Sequence, residues 1–311
     1  MNKNIINQKR TSIKTLIIKL STNISFIISY IFLLSQPNII AQNESIENDL
    51  TVMTYNIRFA GGDPSTDPNH WLHRREFVSD IIKKNNTDIF GLQEALLEQI
   101  IYIDSTLTEY DWTGVGRDDG FNKGEFSPIF YKKDKFELIA KGTFWLSETP
   151  YKPSKGWDAA LNRIVTWVQL KETDTGILFY VYNTHFDHIG DSARYESSRL
   201  ILKKIQEETS ADPVILMGDL NFTLNSKGYA EIISSENQKG LFDAQFISTT
   251  GHMGGNITFN GFGESEEPGN KIDFIFVTEN ITVKRHSVLA EKYKNRYPSD
   301  HYPVLAKISF K

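Results

Sequence analysis

The chain has 311 residues, 40% of them hydrophobic and 23% charged, with a formal net charge of −5 and no cysteine. These proportions describe an ordinary soluble globular protein built on one large domain. They exclude disulfides, zinc–thiolate centres and thiol nucleophiles, and a domain of about 250 residues buries roughly three quarters of its unfolded surface without such staples.

The first 42 residues carry Lys3, Lys9, Arg10, Lys14 and Lys19 and no acid, which leaves a net of −10 on the remainder. An acidic body argues against a non-specific nucleic-acid binder, although a local basic groove is compatible with it. An apolar run over 16–34 follows the basic start, and its cleanest part, 24–34, falls short of the ~20 residues that span a bilayer. Pro37 breaks any helix, and Ala41 is small enough for a cleavage site. Residues 1–42 read as a secretory signal peptide, with an uncleaved N-terminal anchor as the alternative. Either implies export, to the periplasm or beyond the cell. Residues 43–49 form a polar linker, and 50–311 read as one catalytic domain without repeats or a second linker.

From residue 50 the predicted elements alternate. A strand is expected over 51–59, a helix over 71–84, a strand over 88–92 and a helix over 96–107. Strands follow at 128–131, 136–140, 163–171 and 177–183. A helix over 193–208 precedes strands at 214–218, 272–277 and 304–310. Strands with interspersed helices imply an α/β protein, with parallel and antiparallel pairing both open.

Several segments place acid, amide or imidazole groups where an apolar strand hands over to a loop, a common location for catalytic groups. Asn56, in Thr54-Tyr55-Asn56-Ile57-Arg58, sits where strand propensity disfavours it. Glu94 continues the face of Phe90 and Leu92, costly for a carboxylate unless it is paired or binds a metal. Asn183, His185 and Asp187 alternate and can face one way, with His188 next. Gly218-Asp219-Leu220-Asn221 puts two polar side chains two residues apart behind a glycine that permits close approach. Asp273 interrupts an apolar strand. Asp300 and His301, in Ser299-Asp300-His301-Tyr302-Pro303, place a metal-type ligand beside a proton-transfer group.

Each of these also reads as ordinary structure: a strand-end amide, a salt-bridged acid, a satisfied histidine. Together and in order, Tyr-Asn-Ile, Leu-Gln-Glu, Asn-Thr-His, Gly-Asp-Leu-Asn, Ile-Asp-Phe-Ile and Ser-Asp-His resemble the endonuclease/exonuclease/phosphatase family. The resemblance runs from about residue 50 to the C-terminus. It implies a DNase I-like four-layer α/β sandwich, two packed mixed β-sheets flanked by helices, with the site at one end between the sheets. It implies metal binding by Glu94 and Asn56, joined by Asp300, and an all-oxygen set suits Mg²⁺ or Mn²⁺. It implies that Asp219 activates water with Asn221 beside it, that His301 is held by Asp273, and that Asn183 and His185 contact phosphate. Tyr131 reads equally as a phosphate contact or as strand packing.

The expected function is hydrolysis of a phosphodiester or phosphomonoester by metal-assisted in-line attack of water, by a monomer. Nucleic acid, a phospholipid headgroup and a sugar or inositol phosphate all remain open as substrates. An exposed apolar membrane hairpin, as in a sphingomyelinase-like enzyme, has only 259–262 as a short candidate. The rival of a different class is a catalytically idle binding protein of the same fold. Arg58, Arg117, Arg163 and Arg194 read chiefly as salt-bridging groups, His70 and His73 as a loop pair, and the loops 114–126 and 145–157 as a substrate rim.

Overall fold

The computed structural model describes residues 49–234, 240–264 and 271–311. The leader expected at 1–42 and the linker as far as residue 48 lie outside them. The elements in chain order are β1 (Leu50–Asn56), α1 (Trp71–Lys84), β2 (Ile89–Gln93), α2 (Leu97–Thr106), β3 (Tyr110–Thr113), β4 (Ile129–Lys132) and β5 (Phe136–Trp145). Then come β6 (Ile164–Glu172), β7 (Leu178–His185), α3 (Asp191–Glu208), β8 (Val214–Asp219), α4 (Lys227–Ile232), β9 (Leu241–Asp243) and α5 (Ala244–Ile247). The chain ends with β10 (His252–Met253), β11 (Asp273–Thr278), β12 (Ile281–Val288) and β13 (Val304–Phe310).

The strands form two mixed sheets, ordered β10-β12-β13-β1-β2-β4-β3 and β5-β6-β7-β8-β11-β9. Period-two alternation along the strands stacks them. Val52, Ile89, Ile129 and Ile215 point into the core between the sheets, together with Val181, Ile275 and Val304. Their chain neighbours Met53, Phe90 and Phe130 face outward under α1 and α2, meeting Val78, Ile81, Ile82, Ile100 and Ile103. On the second sheet Leu216, Tyr182 and Phe276 face outward under α3, against Ile201, Leu202 and Ile205. Three apolar interfaces therefore separate four layers, helices outside and sheets inside, as the family resemblance implies.

α1 follows its predicted bounds. The His70 ring accepts the Leu72 N–H at its start, and Val78, Ile81 and Ile82 fall on the buried face. The strand expected over 51–59 stops at Asn56, because Arg58 takes φ +55°. Glu94 and Asn221 likewise turn out of β2 and β8 at φ 60° and 47°, so three strands break into left-handed backbone at the same end of the molecule. The strand expected over 136–140 continues to Trp145 past a bulge between Leu138 and Ala140. β12 carries no strand prediction: a register shift between Val283 and Arg285 breaks its alternation and brings Lys284 and Arg285 together. β3, β9 and β10 are too short to give a periodic signal.

Candidate active site

Register carries the polar side chains to one place. In the second sheet His185 pairs with Asp219, and Asp219 with Asp273, forming a row across β7, β8 and β11. In the first sheet Asn56 pairs with Gln93 at the ends of β1 and β2. The loop before β13 supplies Asp300 and His301, anchored by an antiparallel bridge between His301 and Phe259. Gly218 allows the row to form: it has φ +154°, and a Cβ there would lie 2.1 Å from the Thr184 carbonyl oxygen.

Asp219 is the hub. Asn56 Nδ2 donates to its Oδ2 at 2.9 Å, and the Asn221 N–H to its Oδ1 at 3.0 Å. Nε2 of His185 and Nε2 of His301 lie 3.6 and 3.7 Å from Oδ2. Burial raises the Asp219 carboxyl, and the neighbouring Asp273 raises it further. His301 Nδ1 meets Asp273 Oδ2 at 2.9 Å. Burial alone would depress this imidazole, but Asp273 and Asp219 prevail and hold it well above the ordinary histidine range, so it is a cation at neutral pH. His185 goes the other way: burial, then the nearby Arg163 and Arg117, push it well down, so it stays neutral. Asn221 Nδ2 lies 3.0 Å from His185 Nε2, which makes Nε2 the acceptor and puts the ring proton on Nδ1.

Opposite this row stand Glu94 and Asp300. Glu94 accepts from Asn56 Nδ2 at 3.1 Å and from the Phe59 N–H at 3.1 Å. Asp300 accepts from Ser299 Oγ at 3.2 Å and has Arg58 at 4.0 Å. Burial, with the Glu94 charge also acting, raises the Asp300 carboxyl. Two hard carboxylates that repel each other at a cavity wall suit a Mg²⁺- or Mn²⁺-type cation. Asn56 links the two sets: its amide donates to Glu94 and Asp219, and its Oδ1 accepts the Arg58 N–H at 3.0 Å with a second lone pair left. Asp219, Asp273 and His301 also offer ligand atoms within 4.8 Å of one another and could hold a metal. In that group Asp273 and the protonated His301 are already bonded to each other through Oδ2 and Nδ1, which favours Glu94 and Asp300 as the pair to hold a cation.

Two expected residues are placed elsewhere. Tyr131 pairs with Ile89 at the far end of β2 from Glu94 and packs in the core between the sheets, so of its two readings the structure has strand packing. Asn183 staples the sheets: its Nδ2 donates to the Leu92 and Pro128 carbonyls at 2.9 Å each, and Gln93 Nε2 donates to its Oδ1 at 2.7 Å. Both its amide hydrogens are spent, so it offers no donor to phosphate. A Cβ on Gly91 would sit 2.5 Å from Asn183 Cγ, which explains a glycine inside the buried β2.

The sequence did not single out Gln93, and it placed Glu125 only within the rim loop 114–126. Arg117 holds Glu125 at 2.6 and 2.9 Å, and Glu125 Oε2 faces His185 Nδ1 at 3.7 Å. Glu125 lies in an irregular loop, where no periodicity marks it. Of the expected rim, Trp145 is buried and donates to the Arg117 carbonyl at 2.7 Å, holding that loop. Arg117 and Arg163 pair with Glu125 and Asp187, and Arg194 with Asp191. Phe259 packs edge-on against His301 at 5.1 Å and forms no exposed apolar hairpin. The site encloses about 540 Å³ and is lined by Glu94, Asp300, Asp219, His301, Glu125, Arg163 and His188 among others.

The pattern of the Endonuclease/Exonuclease/phosphatase family matches residues 53–301. A structure of an endonuclease/exonuclease/phosphatase from Bacteroides vulgatus is 40% identical, covers 85% of this chain and 99% of its own, and superposes with a TM-score of 0.80. A mannosyl-6-phosphatase from Bacteroides thetaiotaomicron is 41% identical over 84% of this chain and 100% of its own, with a TM-score of 0.79. An uncharacterised mimivirus protein, L388, is 27% identical over 76% of this chain and 91% of its own length. The chain belongs to the endonuclease/exonuclease/phosphatase family and is a phosphoester hydrolase of the DNase I-like fold.

Proposed function

We propose that this protein is an exported, divalent-metal-dependent phosphomonoesterase that releases inorganic phosphate from a phosphorylated sugar. The observation that carries the reading is the row His185–Asp219–Asp273, with His301 locked onto Asp273, facing Glu94 and Asp300 across one cavity. The likeness to the mannosyl-6-phosphatase, over 84% of this chain and 100% of that one, supports the sugar. A net charge of −5 gives no support to a polyanionic polymer as substrate.

Glu94 and Asp300 would hold the cation. When bound, it would polarise a phosphoryl oxygen and offset charge on the departing oxygen. Asp219, with its carboxyl raised toward neutrality, accepts the proton of the attacking water. The Asn221 N–H fixes Asp219 Oδ1 and the Asn56 amide fixes Oδ2, so the carboxylate is held in one orientation. Protonated His301 donates from Nε2 to a phosphoryl oxygen while Asp273 holds its other nitrogen. The basic leader at 1–42 supports export, and no helix of the described residues is long and apolar enough to cross a membrane.

The test, with Mg²⁺, is release of inorganic phosphate from mannose 6-phosphate, glucose 6-phosphate and inositol monophosphate, alongside release of p-nitrophenol from bis-p-nitrophenyl phosphate, phosphocholine from sphingomyelin and nucleotides from single-stranded DNA. Turnover of the hexose phosphates above the diesters is expected. Turnover confined to a diester or to DNA would replace the sugar phosphate with that substrate.

A further inference from the structure

One flank of the cavity takes no part in the steps above. Arg163, at the lip of β6, and His188, three residues beyond β7, line it beside Leu161. Arg163 is 3% exposed. Its Nε reaches Asp187 Oδ2 at 3.4 Å, and its Nη2 lies 2.9 Å from His188 Nδ1. An arginine nitrogen only donates, so His188 Nδ1 is the acceptor and the ring proton lies on Nε2. That Nε2 has no hydrogen-bond partner among the described residues, and His188 is exposed.

The donor is held in place. Asp187 accepts the N–H groups of Leu161, Ile189 and Gly190 at 3.2, 3.0 and 2.9 Å, which fixes the carboxylate that orients Arg163. Arg163 Nη1 is buried without a partner, so the guanidinium retains further donor capacity. On the same cavity, Glu125 contributes a carboxylate acceptor and Leu161 an apolar surface.

Charge decides what class of group fits. The cations of this flank are already matched, Arg163 by Asp187 and Arg117 by Glu125, so no excess positive charge invites a second phosphate. The aromatic rings of the cavity lie elsewhere, Phe259 against His301 and Phe59 beside Glu94, so this flank offers no face on which a base could stack. A fixed donor, an acceptor and an apolar surface match the hydroxyls and C–H face of a sugar ring.

We propose that His188, oriented by Arg163, is a specificity-determining residue that binds a ring hydroxyl of the sugar leaving group. The inference rests on the sugar-phosphatase reading of the site. p-Nitrophenyl phosphate, whose leaving group has no ring hydroxyl, is the reference substrate. In His188→Ala, kcat/KM for mannose 6-phosphate relative to p-nitrophenyl phosphate falls about tenfold, the scale of one hydrogen bond, with the change in KM. His188→Gln, which keeps an N–H donor, recovers part of the ratio. A ratio within about twofold of wild type in His188→Ala overturns the subsite and leaves the sugar-phosphatase reading standing. Wild-type protein that turns over p-nitrophenyl phosphate but no sugar phosphate overturns both.

Discussion

Asp219 is fixed from three directions, by the amide of Asn56, the backbone of Asn221 and the row it forms with His185 and Asp273. An amide in its place keeps the shape but cannot take a proton from water. Asp219→Asn is expected to lower kcat by at least about 100-fold with little change in thermal stability. Near-normal turnover in that variant would remove Asp219 as the base. The candidate residues legible in the sequence were those ending apolar strands, because a carboxylate or imidazole there has no ordinary reason to continue a buried face. Asn183 shows the limit of that logic: its partners Leu92, Pro128 and Gln93 lie far away in the chain, so a staple and a phosphate contact look alike until the sheets are stacked.

A second residue-scale prediction concerns His286, buried on β12 with Nδ1 2.9 Å from Nδ1 of His252. Burial, with the charges of Lys271 and His252 adding to it, pushes its pKa down to about 3. An unfolded histidine titrates near ~6.5, so below that pH the unfolded chain binds a proton the folded chain refuses. The contribution of His286 to stability is complete above pH ~6.5 and is lost progressively as pH falls toward ~3. The urea midpoint of wild type should therefore drop more steeply between about pH 6.5 and 4.5 than that of His286→Leu. Parallel curves would show that His286 does not titrate as described.

At the scale of elements, α1 does more than cover the first sheet. Its Arg74 is buried, and its guanidinium donates to four backbone carbonyls: Asn69 at 2.8 Å, Arg58 at 2.7 Å, Pro298 at 3.2 Å, and Ile57. Burial pushes its pKa down to about 10, so it remains charged at neutral pH. Arg74 thereby ties the loop after Asn56 to the loop before Asp300, and Gln99 from α2 adds a bond to the Arg58 carbonyl at 2.9 Å. Arg74→Met strands several buried carbonyls and should cost about 3 kcal/mol in urea denaturation, with turnover reduced as well. A loss under about 0.5 kcal/mol would show that the clamp is dispensable. The bounds of α1 were legible because its apolar residues keep helical spacing over 14 residues. Arg74 was not, because an arginine on the buried face of a helix gives the same sequence signal as one on its rim.

Over the whole molecule, the four layers were legible only through the resemblance of the ordered motifs to the family. The strands by themselves gave an α/β protein, and the alternation of Val52 with Met53 or Ile215 with Leu216 shows two buried faces per strand only once the sheets are stacked. Strand neighbours were not legible, since β13 inserts between β12 and β1 by contacts that no local pattern encodes. The layered fold brings Glu94 and Asp300, from opposite ends of the domain sequence, to one wall facing Asp219 and His301, and the function proposed here depends on a cation at that wall. The most direct measurement is phosphate release from mannose 6-phosphate by protein stripped with chelator and then titrated with Mg²⁺ or Mn²⁺. No release without metal, recovery on titration, and a requirement for at least about tenfold more metal in Glu94→Gln are predicted. Undiminished release in excess chelator, or the same metal requirement in Glu94→Gln, would contradict the account.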